Sequence, residues 1–245
     1  MVFRDETLDE VRFFEEAFDH YADGPVESVL EPGCGSGRLI AAMAARGYDA
    51  TGLDLHPAMV EYLDRRLRRR GLHATTVLGD MTSMSLGRTF DAAFCTFNTF
   101  RHLPSETDAV SHLRSVAAHV RQGGLYILGY HIIPDDAEDT CVERWKASHG
   151  GTDLKVAFAV TAFDRKNRFE HVTVTIDARK RSGKRERLTS QFKLRTYNAV
   201  QTRRLLAKVK DVWSIAEIFD FDYDIDTTRD LNEDLNDALF VLKRL

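Results

Sequence analysis

The chain has 245 residues, 43% of them hydrophobic and 29% charged, which is typical of a folded globular protein and excludes a largely disordered one. Because 34 basic residues nearly balance 38 acidic ones, the net charge of −4 gives no overall attraction to nucleic acid or to an anionic membrane. No apolar run approaches the roughly 20 residues that span a bilayer, so we expect no membrane segment.

Cysteine usage and the first residues bear on the cellular compartment. Cys34, Cys95 and Cys141 are an odd number of cysteines without metal-ligand spacing, which indicates a reducing environment and predicts no metal site. The acidic start, MVFRDETLDE, lacks the basic and apolar segments of a signal peptide. We therefore predict a cytoplasmic protein.

Predicted helices and strands alternate over the first half of the chain. Apolar residues at spacings of three and four predict an amphipathic helix over Asp5–Tyr21. The next predicted elements are, in order, the strand VESVLE, the helix RLIAAMAARG, the strand YDATGLDL, the helix PAMVEYLDRRLRRRG, the strands ATTVLGD and FDAAFCTFN, the helix SETDAVSHLRSVAAHVRQGG with Ser105 as N-cap, and the strand LYILGYHII. This alternation, with several strands apolar throughout, predicts a doubly wound α/β fold whose mostly parallel sheet is covered on both faces.

The pattern changes after Ile133. Three segments with period-two alternation, LKVAFAVTAFD, FEHVTVTIDARKR and ERLTSQFKLRTY, predict an antiparallel three-stranded insertion over about residues 154–197. The segments PDDAEDT and SHGGTD are predicted loops. A helix, NAVQTRRLLAKV, and two strands, VWSIAEIFDFD and ALFVLKRL, then complete a sheet of seven strands. We predict a single domain over residues 1–245, with its core in residues 1–133 and 198–245.

The stretch VLEPGCGSGRLIAAMA, residues 29–44, turns a predicted strand into a predicted helix through three alternating glycines. Such a turn presents backbone N–H groups and a helix N-terminus to a ligand, and glycine lets the ligand approach the backbone closely. The dinucleotide-binding pattern GxGxxG fails in both registers, because Arg38 and Ile40 stand where its last glycine belongs. This spacing disfavours a nicotinamide oxidoreductase.

The pattern that is present, an acid at Glu31 followed by Gly33, Gly35 and Gly37, resembles motif I of class I S-adenosylmethionine-dependent methyltransferases. The segment FDAAFCTFNTFRHLP resembles motif IV of that family, and VRQGGLYILGY resembles the helix–strand segment that follows it. The resemblance covers nearly the whole predicted core in order. It implies a Rossmann-like fold and an enzyme that uses S-adenosyl-L-methionine and releases S-adenosyl-L-homocysteine.

The resemblance also implies the cofactor contacts. The glycine loop packs against the methionyl part of the cofactor, and Asp54, at the end of the second predicted strand, can accept hydrogen bonds from both ribose hydroxyls. Asp80 ends the third strand, where an acid accepts from the adenine amino group and the next N–H meets the ring. The predicted cofactor-binding residues are Glu31, Gly33, Cys34, Gly35, Gly37, Arg38, Asp54, Leu55, Asp80, Met81 and Asn98, with Arg38 assigned to the methionyl carboxylate.

Three polar residues follow the predicted fourth and fifth strands, at the carboxyl edge where doubly wound sheets bind ligands. They are Asn98, His102 and His131. Methyl transfer from a sulfonium mainly needs alignment of the reactants, and a base only where the acceptor must lose a proton. Because histidine titrates near neutral pH, we predict His102, His131 and Asn98 as catalytic residues. A local packing role is the alternative for His102.

The β insertion bears on the acceptor. An antiparallel sheet after the fifth strand resembles the lid and dimer-contact element of small-molecule N- and O-methyltransferases. It therefore implies a small-molecule acceptor and is compatible with a homodimer. Alternation of Val172, Val174 and Ile176 with polar neighbours predicts one face that packs and one that faces solvent.

Two alternatives within the same fold stay open. The hairpin tip RKRSGKRERL carries six basic residues and one acid, which favours an RNA or protein methyltransferase if this tip binds the substrate. No aromatic residue is interleaved for base stacking, so we favour a solvated turn whose charges discourage strand pairing. The second alternative is a non-catalytic protein that binds S-adenosylmethionine.

Overall fold

Helices and strands alternate through the first half of the chain, as predicted. The computed structural model describes residues 6–245, except for the His149 side chain, and Asp5, the predicted start of the first helix, lies outside them. The elements of this half are α1 (Glu6–Tyr21), β1 (Ser28–Pro32), α2 (Arg38–Ala45), β2 (Asp49–Asp54), α3 (Pro57–Arg70), β3 (Thr75–Leu78), β4 (Phe90–Cys95), a 3₁₀ helix (Thr99–His102), α4 (Glu106–His119) and β5 (Val120–His131). The segment between β3 and β4 was too short to predict a helix, and residues 79–89 contain no helix.

The second half contains the insertion and the closing elements of the core. Its elements are β6 (Cys141–His149), β7 (Thr152–Asp164), β8 (Phe169–Lys180), β9 (Arg185–Arg195), α5 (Ala199–Ala207), β10 (Trp213–Phe219) and β11 (Asp237–Arg244). The strands β6 to β9 form a separate antiparallel sheet, and the other seven form the main sheet.

The main sheet has the strand order β10-β11-β5-β4-β1-β2-β3. Strands β1 to β5 run parallel to one another, while β11 is antiparallel to both β5 and β10. The order reverses between β1 and β4, so the carboxyl ends of these two strands flank the crevice in which such sheets bind ligands. The predicted doubly wound, mostly parallel seven-stranded sheet is confirmed.

The main sheet is buried between two layers of helices. On one face, α1, α2 and α3 contribute Phe14, Ile40 and Leu63 to a hydrophobic cluster. On the other face, α4 and α5 contribute Leu113 and Leu205 to a second cluster. Successive strand residues point to opposite faces, and both faces are apolar here. Among residues 6–245, no helix is long and apolar enough to cross a membrane.

The fourth helix begins as predicted but ends early. Ser105 caps it, and Asp108 completes a capping box with Ser105. The helix was predicted to include VRQGG, whereas β5 already begins at Val120. Val120 is buried and pairs with Phe90 of β4, and Gly123 has a φ of +71° that no α-helix accommodates. The two glycines therefore belong to an irregular start of the strand.

The insertion has four strands, so the predicted three-stranded unit is wrong in number and in its starting point. The additional strand is β6, which pairs with β7 from Cys141↔Val160 to His149↔Thr152. Its sequence, CVERWKASH, places Arg144 and Lys146 on one face and Glu143 beside Trp145 on the other. Charged residues on both faces remove the period-two signal, and the pairing with β7 supplies the order that the local sequence lacks.

Candidate functional site

The glycine loop is held against the end of β2 by backbone hydrogen bonds. The N–H groups of Gly33 and Cys34 donate to the carbonyl of Leu53 at 2.7 and 2.9 Å. The N–H of Gly35 donates to Oδ2 of Asp54 at 2.7 Å, and the N–H of His56 donates to Oδ1 at 2.8 Å. Both oxygens of the Asp54 carboxylate are therefore fixed at the carboxyl edge, directly beside the loop.

The three glycines serve different purposes. All have positive φ, between 52° and 72°, which disfavours other residues. A Cβ on Gly33 would lie 2.5 Å from Cγ2 of Thr99, and one on Gly37 would lie 2.1 Å from Cδ1 of Leu63. Apart from its neighbours in the chain, none of residues 6–245 has an atom within 4 Å of the same position on Gly35. Packing thus requires glycine at the two outer positions, and the middle one leaves open space over the backbone.

A buried charge cluster lies under the loop, and the sequence did not reveal one of its members. Arg38 pairs with Oε2 of Glu10 on α1 at 2.6 Å, and Thr96 donates to the other oxygen of Glu10 at 2.6 Å. Glu31 is 9% exposed, and within the described chain its Oε2 atom has no hydrogen-bond partner. Burial raises the pKa of Glu31 to about 8, against the opposing effect of the Arg38 charge.

This cluster changes the interpretation of Arg38. The residue was predicted to bind the methionyl carboxylate, but its guanidinium pairs with Glu10, donates to Oγ1 of Thr7 and lies 5.1 Å from the Phe97 ring centre. Among residues 6–245, two acids, Glu10 and Glu31, therefore accompany one cation, Arg38. The buried cluster beneath the loop is therefore more acidic than the sequence motif alone suggests.

The end of β3 is fixed by a buried histidine. Asp80 is exposed, and its Oδ1 accepts from the N–H and the hydroxyl of Thr82, both at 2.8 Å. The carbonyl of Met81 accepts from Nδ1 of His112 at 3.1 Å, and Tyr126 donates to Nε2 of His112 at 2.7 Å. Burial lowers the pKa of His112 to about 4, so its ring is neutral at physiological pH. His112 thereby fixes the backbone at the predicted adenine position.

The turn after β4 is strained. Phe97 and Asn98 are consecutive non-glycine residues with φ of +53° and +65°. Such conformations cost about 1–3 kcal/mol each and concentrate at functional sites. The side-chain oxygen of Asn98 accepts from the N–H of His131 at 3.0 Å and from Nη1 of Arg101 at 3.2 Å. Asn98 therefore joins the carboxyl ends of β4 and β5.

Arg101 connects this turn to the insertion. Its side chain is 2% exposed and pairs with Glu170 of β8, and its Nε donates to the carbonyl of Arg195 at 2.8 Å. A buried guanidinium is unfavourable unless every donor is satisfied. The insertion is thus docked onto the carboxyl edge of the main sheet through one buried cation, which sequence analysis missed.

The two predicted catalytic histidines lie at the same edge but face different surroundings. His102 is exposed, and its ring packs 5.1 Å from that of Phe192 on β9. The protein atoms around it and the Arg101 charge lower its pKa. His131 is the last residue of β5, so it ends the strand rather than following it, and its Nδ1 contacts the carboxylate of Asp237 on β11.

Two further predicted cofactor residues, Cys34 and Leu55, differ in the exposure of their side chains. The Cys34 side chain is 5% exposed and packs toward Gly52 in the core, so only its backbone faces the loop. Leu55 follows β2 directly and is 71% exposed. The structure therefore leaves the Leu55 side chain accessible to a ligand held by Asp54 and turns the Cys34 thiol away.

Comparison with known proteins shows which families this chain resembles. Residues 29–124, from β1 to the start of β5, match a family described as the methyltransferase domain. This part of the chain is similar to methyltransferase domains. Over 124 residues the chain is 29% identical to a dTDP-4-amino-2,3,4,6-tetradeoxy-D-glucose N,N-dimethyltransferase of Saccharopolyspora spinosa, covering 51% of this chain and 48% of that protein. The chain thus spans about half the length of the curated relatives it matches.

Solved structures share the fold of the whole chain. DesVI of Streptomyces venezuelae superposes with a TM-score of 0.79 at 16% identity, covering 99% of this chain and 93% of that one. The SAM-bound CalS10 of Micromonospora echinaspora, an amino pentose methyltransferase, gives 0.73 at 21% identity, with 100% and 92% covered. The matched segment and the insertion together therefore have a fold that occurs in methyltransferases.

Proposed function

We propose that the chain is an S-adenosylmethionine-dependent methyltransferase that methylates nitrogen or oxygen of a small molecule. The observation that carries this proposal is the open space over Gly35, bordered by the fixed carboxylate of Asp54. The chain acts as a single domain in which the insertion, residues 141–195, covers the carboxyl edge of the core. The match over residues 29–124 supports the reaction class.

The residues present fit this cofactor. Asp54 receives the ribose hydroxyls, Asp80 and the Met81 N–H receive the adenine, and the loop from Gly33 to Gly37 receives the methionyl part. The unpartnered Oε2 of Glu31 suits the ammonium group of that part, because a buried carboxylate gains most from a cation. When bound, the cofactor supplies a methyl group activated on a sulfonium.

The acceptor side is formed by Asn98, His102 and His131. The Asn98 oxygen fixes the β5 end, and the His102 ring packs against Phe192 of the insertion. The residues position the acceptor and exclude water, which is most of what an activated methyl donor requires. The names of the Saccharopolyspora relative and of CalS10 both refer to amino sugars, which favours nitrogen as the methylated atom.

The basic hairpin tip supports a small-molecule acceptor over RNA. Lys180 and Lys184 both pair with Glu186, at 3.1 and 2.8 Å, and Arg187 pairs with Asp177 at 3.4 Å. These pairs lie within the hairpin itself, so its charges stabilise the turn and lower its attraction to phosphates. We therefore retain the interpretation of a solvated turn.

Replacing Asp54 with alanine is expected to weaken the binding of S-adenosyl-L-homocysteine by at least about tenfold, which corresponds to about 1.4 kcal/mol. The ribose loses its acceptor, and the Gly35 N–H loses its partner. Isothermal calorimetry on wild type and variant measures this effect, with NADH as a second ligand.

Asp49→Ala is the matched control, because Asp49 lies at the opposite end of the same strand. This variant should bind S-adenosyl-L-homocysteine with the affinity of the wild type. A folded wild-type protein that binds neither S-adenosylmethionine nor its product would contradict the proposed function at its first step.

We also propose that the insertion forms a homodimer contact. Trp145, Val156, Ile176 and Leu188 are register partners across the four strands and form one apolar row on one face. Leu188 is 65% exposed, whereas deeper rows of the same face bury Val160 and Val172. Trp145, Val156 and Ile176 are half-buried, so the row is partly exposed along its length. A partly exposed apolar row is a typical contact surface, and a second copy would supply an identical row.

Ile176→Glu is expected to convert a dimer into a monomer, because it places a charge in the middle of the apolar row. Analytical ultracentrifugation should give twice the 27.9 kDa chain mass for wild type and the single mass for the variant. Thr175→Glu, the next residue on the polar face, should remain dimeric. A monomeric wild type at micromolar concentration would contradict this contact.

A further inference from the structure

The carboxyl end of β5 carries a histidine whose ring is held by an aspartate of the neighbouring strand. His131 and Asp237 are register partners in the antiparallel pair of β5 and β11, and Nδ1 of His131 contacts Oδ1 of Asp237. An ionised carboxylate can only accept, so Nδ1 carries the proton of this bond. The neutral ring then has its lone pair on Nε2.

Further contacts, with Asn98 and Phe221, hold His131 in place. The backbone N–H of His131 donates to the oxygen of Asn98 at 3.0 Å, in the strained turn after β4. The Phe221 ring lies 5.5 Å from the imidazole in an edge-on arrangement and 5.8 Å from the ring of Phe97. The His131 side chain is nevertheless 39% exposed. It is therefore both oriented and accessible, as a group that exchanges protons with a ligand must be.

A cavity of about 500 Å³ lies beside this pair, between the end of β10 and the start of β11. Phe221 and Asp237, which both contact His131, form part of its wall. Of the residues that the structure describes, the wall also holds Asp220, Asp222, Asp230 and Asp234 and one cation, Arg229, which pairs with Asp220 at 2.6 Å. The carboxylates outnumber the cation, so the cavity favours a positively charged group.

We propose that the acceptor enters this cavity as an ammonium ion and that Nε2 of His131 removes its proton. The N–H bond breaks, the proton moves to Nε2, and the resulting imidazolium is stabilised by the carboxylate of Asp237. The nitrogen lone pair so released forms the new C–N bond, while the pair of the breaking C–S bond returns to sulfur. This inference rests on the proposed function and specifies its acceptor class.

The chemistry of the base favours an amine over an alcohol. An alkylammonium ion is more acidic than water, and so than a simple alcohol, by about five pKa units. An imidazole can therefore deprotonate the former far more readily. Asp237 acts as a positioning residue: it does not touch the acceptor but determines which ring nitrogen of His131 is free to take the proton.

The first test uses ¹⁵N NMR of the imidazole rings, with His131→Gln to assign the signals. Wild type should show His131 with the proton on Nδ1 and a bare Nε2. In Asp237→Asn the amide can donate to Nδ1, so the proton should move to Nε2. Asp226→Asn makes the same change in the loop that precedes β11, outside the cavity wall, and should leave the tautomer unchanged. A wild-type proton on Nε2, or no change in Asp237→Asn, would overturn the role of Asp237.

The second test adds D-glucosamine and D-glucose, a matched amine and alcohol, to the protein saturated with S-adenosyl-L-homocysteine. Glucosamine should shift the His131 Nε2 signal toward its protonated position in a saturable manner, and glucose should not. Equal shifts with both sugars, or none with glucosamine, would overturn the ammonium site.

Calorimetric binding of S-adenosyl-L-homocysteine in the same samples distinguishes a failure of this inference from a failure of the proposed function. Normal cofactor binding with the wrong tautomer refutes this inference alone. Absent cofactor binding refutes the proposed function, whatever the tautomer of His131.

Discussion

Arg101→Ala is expected to lower the free energy of unfolding by about 3–5 kcal/mol, because it breaks a buried ion pair by removing one partner. The Glu170 side chain is only 12% exposed and would be left without its cation. The carbonyl of Arg195 and the oxygen of Asn98 would each lose a donor. Urea denaturation measures the loss, and limited proteolysis shows whether the insertion is released from the core.

An exposed ion pair serves as the matched control, because it separates the cost of breaking a buried pair from the cost of removing an arginine charge. Arg165 pairs with Asp139 on the surface, where the two side chains are 45% and 70% exposed, so Arg165→Ala should cost at most about 1 kcal/mol. The double variant Arg101→Met/Glu170→Leu removes both charges and should recover most of the stability lost in Arg101→Ala. If Arg101→Ala lay within about 1 kcal/mol of wild type, the insertion would be held by other contacts.

The Arg101 pair also illustrates which parts of the molecule the sequence could predict. The seven core strands were predictable because each is a short apolar run bounded by turn residues, and the glycine loop because its pattern is local. Arg101 and Glu170 lie 69 residues apart, and no periodicity links them. A buried arginine in FNTFRHLP looks the same in sequence as a solvated one.

In the candidate site, too, local patterns were predictable from sequence and long-range contacts were not. Gly35 and Asp54 were predictable from a motif and from a strand end, and the structure brings them together. Glu10 and Asp237 were not, because they reach the site across 86 and 106 residues, to Thr96 and His131. Their elements, α1 and β11, carry ordinary amphipathic or apolar patterns. Only tertiary packing places their carboxylates beside functional groups.

The buried acid of the glycine loop leads to the second large effect. Glu31→Gln is expected to stabilise the cofactor-free protein at pH 8 and to leave its stability nearly unchanged at pH 4. Burial raises the pKa of Glu31 from 4.5 to about 8, so between these values the folded state holds a proton that the unfolded state has lost. Wild-type stability therefore falls as pH rises through this range, by about 1.4 kcal/mol for each step of one in pH.

Urea unfolding of both proteins at several pH values between 4 and 9 measures the difference, which should grow with pH and level off above pH 8. Arg38, Glu10 and Asp54 are the charged groups that influence Glu31, and all three are unchanged in the variant. Glu15→Gln, on the surface of α1, should show no such growth. Parallel curves for wild type and Glu31→Gln would contradict a protonated Glu31.

The ionised form of the buried Glu31 destabilises the cofactor-free protein. Its carboxylate becomes favourable only when a cation binds beside it. The ammonium group of the methionyl part would replace the proton on Glu31, because a buried carboxylate with a cation beside it returns to its charged form. Binding of S-adenosyl-L-homocysteine at pH 7 should then release close to one proton in wild type and none in Glu31→Gln. Calorimetry in two buffers of different ionisation enthalpy counts that proton. Its absence in wild type would place the ammonium group elsewhere and leave the burial of Glu31 without a functional reason.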